Sequence, residues 1–166
     1  MVGALEKLDL ARARKAVIKV CDPEVPVLTI EDLGVLRDVR ETADGRIEVI
    51  ITPTYSGCPA MSTIELDLVV ALENAGFRNP KITHTLSPAW TTDWMSNEGR
   101  KKLRAYGIAP PKKGGKRGGL FGFEEVECPQ CGSSDTTQIS EFGSTSCKAL
   151  WRCKSCAEPF DYFKCH

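Results

Sequence analysis

Four of the eight cysteines fall in two C-x-x-C pairs, Cys128-Pro129-Gln130-Cys131-Gly132 and Cys153-Lys154-Ser155-Cys156, with 21 residues between them. Each pair can close a tight knuckle that aims two thiolates at one ion, and two knuckles complete a tetrahedron. The expected metal ligands are therefore Cys128, Cys131, Cys153 and Cys156. Zinc is the default ion, and an iron centre with four thiolates is its rival because it asks for the same spacing. Thr136 to Ile139, Ala149 to Arg152 and Phe160 to Phe163 read as three strands around these knuckles, the layout of a zinc ribbon. So short a segment has little core to bury, and the metal would supply much of its folding free energy. Cys147, Cys165 and His166 stand close in sequence as substitute ligands or a second site.

A second candidate lies in Thr52-Pro53-Thr54-Tyr55-Ser56-Gly57-Cys58-Pro59, a loop between a strand and a helix. A helix beginning at Pro59, or at Ser62 with Glu65 closing a capping box, leaves Cys58 at or just ahead of the N-terminus. The macrodipole and unpaired backbone N–H groups there favour a thiolate. Cys58 thus reads as a soft-metal ligand or a nucleophile, against the alternative of a buried structural cysteine. Asp22-Pro23-Glu24-Val25-Pro26 offers two carboxylates on a turn, and Asp32 follows before Gly34, although acids on a Pro-rich turn are ordinarily just solvated. His84 on an alternating strand could act as a base for a thiol enzyme built on Cys58. Nothing in the sequence orients it, however, and no oxyanion site is evident.

The elements that must position these residues follow from periodicity. Leu10, Ala13, Val17, Ile18 and Cys21 share one helical face, which would make Cys21 a small buried hydrophobe. Val35 to Arg40, Asp44-Gly45 and the run Ile47, Val49, Ile51 form a hairpin signal. Met61, Ile64, Leu68, Val69, Leu72 and Ala75 give a second helix that Gly76 is placed to end. Asn79-Pro80 turns into an alternating strand through Ile82, His84 and Leu86. Trp94, Glu98, Lys102 and Tyr106 mark a last helix with Gly99 as a weak point inside it. Trp90 and Trp94 fit either core packing or a partner surface. The resulting fold class is α/β (α+β): a small two-layer domain over residues 1–109, a Gly/Pro/Lys linker over 110–119, and a four-cysteine zinc-ribbon β domain over 120–166.

The chain has 166 residues with 22 basic and 22 acidic side chains, too few for a large multidomain enzyme. Residues 1–111 carry 14 basic and 15 acidic groups and residues 112–166 carry 8 and 7, so neither part is a basic nucleic-acid-binding module. No apolar run spans a bilayer, and the first ten residues hold Glu6 and Asp9 in place of a signal-peptide core. The expectation is a cytoplasmic protein with neither membrane nor nucleic acid as partner. In that reducing setting clustered cysteines read as metal thiolates before disulfides, and a homodimer is left open.

Asp22-Pro23-Glu24, Ile30-Glu31-Asp32-Leu33-Gly34 and Thr52 leading to Cys58-Pro59 resemble the MIP18 (DUF59) family of iron–sulfur cluster assembly factors over roughly residues 5–106. With Ser87-Pro88-Ala89-Trp90-Thr91-Thr92-Asp93-Trp94 and the Cys-rich tail, the whole chain is similar to the D family of phenylacetate-degradation proteins, the PaaJ-type subunits of phenylacetyl-CoA oxygenase. That resemblance implies a non-catalytic accessory subunit of the monooxygenase that epoxidises the ring of phenylacetyl-CoA. Its role would be maturation of a metal centre, with the reductase and the other oxygenase subunits as partners. Cys58 would carry iron or an iron–sulfur cluster transiently, Asp22 and Glu24 matching the family's acidic turn. The minimal family domain has no ribbon, so the tail would either dock a partner, the recipient, or hold a second metal outside the family's pattern. The alternative is a structural or electron-transfer subunit with a redox iron in the tail.

Overall fold

The computed structural model describes residues 9–114 and 125–164. Cys165, His166 and residues 115–119 of the expected linker, half of it, fall outside the described residues. Contacts divide the chain into two compact units, Met1–Trp90 and Thr91–His166.

The first unit runs α1 (Leu10–Val17), β1 (Leu36–Glu41), β2 (Ile47–Ile51), α2 (Ala60–Asn74), β3 (Lys81–His84). Its sheet has the order β1-β2-β3, with β1 antiparallel and β3 parallel to β2. A parallel neighbour requires a crossover, and α2 provides it. Ile47, Val49 and Ile51 of β2 are buried together with Val17 of α1 and Ile64, Leu68 and Leu72 of α2, and the two helices touch. The expected hairpin forms with Gly45 at φ +75° in the turn, and Gly76 at φ +89° ends α2 by donating its N–H to Glu73 O.

The end of α1 departs from expectation. α1 stops at Val17, so Cys21 leaves the helical face, becomes exposed, and forms an isolated antiparallel bridge with Thr29. The cause lies in the next segment. The Asp22 N–H donates to Leu28 O and the Ile30 N–H donates to Val20 O, giving the chain a use for these groups other than another helical turn. Leu86 likewise falls beyond β3 and is exposed, while Trp90 is a core anchor whose indole N–H donates to Leu33 O at 2.9 Å.

The second unit holds a 3₁₀ turn (Thr92–Trp94), α3 (Asn97–Ala105), β4 (Ile108–Ala109), β5 (Thr136–Ser140), β6 (Lys148–Cys153) and β7 (Pro159–Phe163). Its sheet order is β4-β7-β6-β5, antiparallel except for the parallel β4·β7 pair. The three ribbon strands match expectation. The last helix starts later, because Ser96 caps it by accepting the Gly99 N–H at 2.8 Å, and Trp94 belongs to the turn before it. Gly99 is buried in the capped first turn. The sequence grouped this helix with residues 1–109; its contacts place it and β4 in the unit that carries the ribbon. Among the described residues no helix is long and apolar enough to cross a membrane.

Candidate functional site

The ribbon brings Cys128, Cys131, Cys153 and Cys156 together with all four Sγ atoms within 4.8 Å of one another. The Cys128–Cys156 and Cys131–Cys153 separations are 3.7 and 3.6 Å. A tetrahedral ion with metal–sulfur bonds of about 2.3 Å requires sulfur–sulfur edges of about 3.8 Å, so the donor set fits one thiophilic ion. Both knuckles are built alike. Gly132 and Ala157, each following the second cysteine of its pair, adopt φ +75° and +64°, which turns the chain back. The Gly132 N–H donates to Cys128 O, and the Cys153 N–H donates to Glu158 O. Ser133 and Ser155 join the knuckles through their hydroxyls at 2.8 Å.

Within the second knuckle the two thiols differ sharply in acidity. The Cys156 N–H, followed by the Ser155 N–H, pulls Cys153 down to about 6. Against the N–H of Glu158, burial and the neighbouring sulfurs push Cys156 up to about 12. The Cys153 thiolate forms readily and Cys131 and Cys156 resist ionisation, until a divalent ion supplies the compensating charge. Cys147 is buried beside Thr145 Oγ1 at 3.1 Å and is not one of the four.

Cys58 sits just before α2, whose N-cap position is Pro59, and no side chain caps that helix. Ser62 is inside the helix, so the Ser62/Glu65 capping box is not formed. Cys58 is half-buried, and its thiol is raised, not lowered as the helix end alone would have it. Burial is the main cause. The Ala60 N–H and a Tyr55 hydrogen bond pull the other way, but Glu24 and then Asp22 add negative charge that opposes ionisation. The structure thus brings Cys58, Glu24 and Asp22 into one electrostatic neighbourhood.

Asp22 is not the solvated acid that its Pro-rich turn suggested. It is buried, and its Oδ1 accepts the N–H groups of Glu24 at 2.7 Å and Val25 at 2.9 Å, shaping the turn that presents Glu24. Asp32 does similar work by accepting from Thr29 N–H and Oγ1. Sequence reasoning gave no role to Thr52, whose hydroxyl is buried at the foot of the Cys58 loop without a hydrogen-bond partner. Its signal was its place in the motif leading to Cys58. Glu65 was also missed: it pairs with His84 Nε2, so the histidine is oriented by a carboxylate of α2.

A family model described as an iron–sulfur cluster assembly protein matches residues 10–76, and one described as the PaaD zinc beta ribbon domain matches residues 112–164. The chain is 52% identical over 87% of its length, and 86% of the relative's, to a protein of Escherichia coli (strain K12) named as the D component of the 1,2-phenylacetyl-CoA epoxidase. It is 39% identical to an Fe-S protein maturation auxiliary factor of Porphyromonas gingivalis (strain ATCC BAA-308 / W83), covering 51% of this chain and 80% of the relative. The solved DUF59 domain of Bacillus anthracis covers 57% of this chain and 90% of its own, with TM-score 0.52 and 23% identity, a likeness of fold. By this agreement of both halves and of the chain as a whole, the chain belongs to the family of phenylacetyl-CoA epoxidase D components, in which an iron–sulfur cluster assembly domain of the MIP18 (DUF59) kind is joined to a PaaD zinc ribbon.

Proposed function

We propose that this protein is a non-catalytic, cytoplasmic accessory factor of a phenylacetyl-CoA epoxidase system. In this reading it matures an iron–sulfur or other iron centre of that system, with the reductase as recipient. The observation that carries the reading is the placement of one thiol, Cys58, under the field of Glu24 and Asp22. Iron, or a cluster, is the cargo.

The chemistry follows from the thiol's protonation. Burial and the two carboxylates keep Cys58 protonated when no cation is present, so it is a poor spontaneous nucleophile. An incoming iron species is attracted by the same carboxylates. It takes the sulfur as thiolate and releases the thiol proton to solvent. Because that proton competes with the metal, a raised thiol holds iron less tightly at a pH below its own pKa. A site of this kind accepts and yields its cargo, as delivery requires. The ribbon, with zinc on Cys128, Cys131, Cys153 and Cys156, provides the surface that recognises the recipient.

The test is anaerobic transfer of iron and sulfide to the apo-reductase by wild type and Cys58→Ser, with zinc content and absorption spectrum recorded for both. Transfer is expected to fall to background in the variant while one zinc per chain is retained. Transfer at the parent rate would overturn the role of Cys58. Iron retained in the ribbon of the variant and reversibly reduced would instead make the protein an electron-transfer subunit.

A further inference from the structure

The segment α3–β4 ends before the ribbon match at residues 112–164 begins, yet it pairs with the first knuckle at one point and lies close to it at two more. Ahead of Cys128, Arg104 Nη1 pairs with Glu127 at 3.3 Å. Between the two cysteines, Gln130 Nε2 lies 3.8 Å from where a side chain on Gly107 would begin. After Cys131, Arg104 Nη2 lies 3.7 Å from where a side chain on Gly132 would begin. Gly132 itself must take φ +75° and donate to Cys128 O for the knuckle to close. Beneath these contacts, Ala109 of β4 shares one buried cluster with Cys128, Cys153, Trp151 and Tyr162, and β4 pairs with β7 through Asp161 and Tyr162.

From these contacts we infer that α3–β4 is a clamp on the first metal knuckle, with Arg104 as its positioning residue, and that metal retention by the four cysteines depends on this clamp. Two effects act in the same direction. The clamp holds Glu127, Gln130 and Gly132 in the conformation that aims Cys128 and Cys131 at the ion, so less ordering remains to be done on binding. Four thiolates around a divalent ion carry a net charge of about −2, and a guanidinium paired at Glu127 beside the knuckle offsets part of it. Coupling is reciprocal: whatever the clamp contributes to metal affinity, the metal contributes to docking of the clamp.

The full chain loaded with Zn²⁺ is challenged with a chromogenic chelator. Arg104→Ala is expected to weaken zinc retention about tenfold, the low end of what loss of a residue supporting metal ligands costs. Arg104→Glu should weaken it further, and Arg104→Glu combined with Glu127→Arg should recover most of the loss, which a merely space-filling role would not allow. In wild type, peptide-resolved hydrogen exchange gives the converse: stripping zinc should deprotect residues 104–109 while β2 and α2 keep their protection. Equal retention by wild type and Arg104→Ala, or undiminished protection of Ile108 and Ala109 after stripping, would overturn the clamp. Neither readout involves cluster transfer, so the result is independent of the role given to Cys58.

Discussion

Cys58 shows how a residue can be located correctly and its state misjudged. Its position ahead of a helix is legible because Gly57, Cys58 and Pro59 are local signals. Its protonation depends on Glu24, Asp22 and burial, contributed by a turn more than thirty positions away, and no local pattern carries that. Removing a nearby negative charge should lower the thiol's pKa, since the thiolate then meets less repulsion. Glu24→Gln is therefore expected to speed alkylation of Cys58 by iodoacetamide at pH 7 to 8, by roughly threefold. An unchanged rate would mean that the thiol does not feel the acid. Asp22→Asn should have a smaller effect, because Asp22 acts less strongly on Cys58 and the amide oxygen can still accept the Glu24 and Val25 N–H groups. The four ribbon cysteines lie at the other extreme. Their chemistry is written in two short spacings, and the folded sulfurs come within 4.8 Å of one another as those spacings require.

Among the elements, those whose stabilisation is local were readable and those defined by distant partners were not. The β1–β2 hairpin and α2 carry their own turn glycines and apolar periodicity. The early end of α1 and the two-residue strand β4 depend on partners far along the chain, namely the turn after Val20 and the strand β7. The sheet of the first unit hides one more such feature. Glu48 alternates with apolar neighbours as an outward residue should, yet it is buried. Its cross-strand partners Arg40 and Lys81 close on it at 2.7 and 2.9 Å, and Thr83 Oγ1 donates at 2.6 Å. The Thr83 hydroxyl first, then Lys81 and Arg40, hold Glu48 at about 2, below the ordinary value of 4.5. A depressed carboxylate stabilises the fold fully above its unfolded value and loses that contribution as pH falls through its folded value. This unit should therefore lose stability between about pH 4.5 and pH 2, and Glu48→Gln should flatten that part of the curve at a cost of roughly 1–3 kcal/mol at neutral pH. Urea unfolding as a function of pH measures both; an equally steep acid limb in the variant would assign the loss to other groups.

At the scale of the whole molecule, each unit has its own way of being stable, and this has a measurable consequence. Met1–Trp90 buries two helices against a three-stranded sheet through an extended apolar core. The sheet of Thr91–His166 rests on a small buried cluster that includes Cys128 and Cys153, two of the four residues that could hold an ion. A core that small recovers too little from apolar burial to offset the ordering of its chain, and metal binding covers the difference. Chelation, or Cys131→Ser, should therefore remove one calorimetric transition and leave the other at its midpoint. The surviving species should keep the helical signal of α1 and α2 but lose the near-ultraviolet signal of Trp151, whose ring packs edge-on to Tyr162 at 6.0 Å. Zinc added back to the wild type restores the lost transition, whereas Cys131→Ser, short of one thiolate, recovers it in part at most. If both transitions shift together on chelation, the units fold as one cooperative body, and metal loss in the ribbon would then also disorder the Cys58 loop.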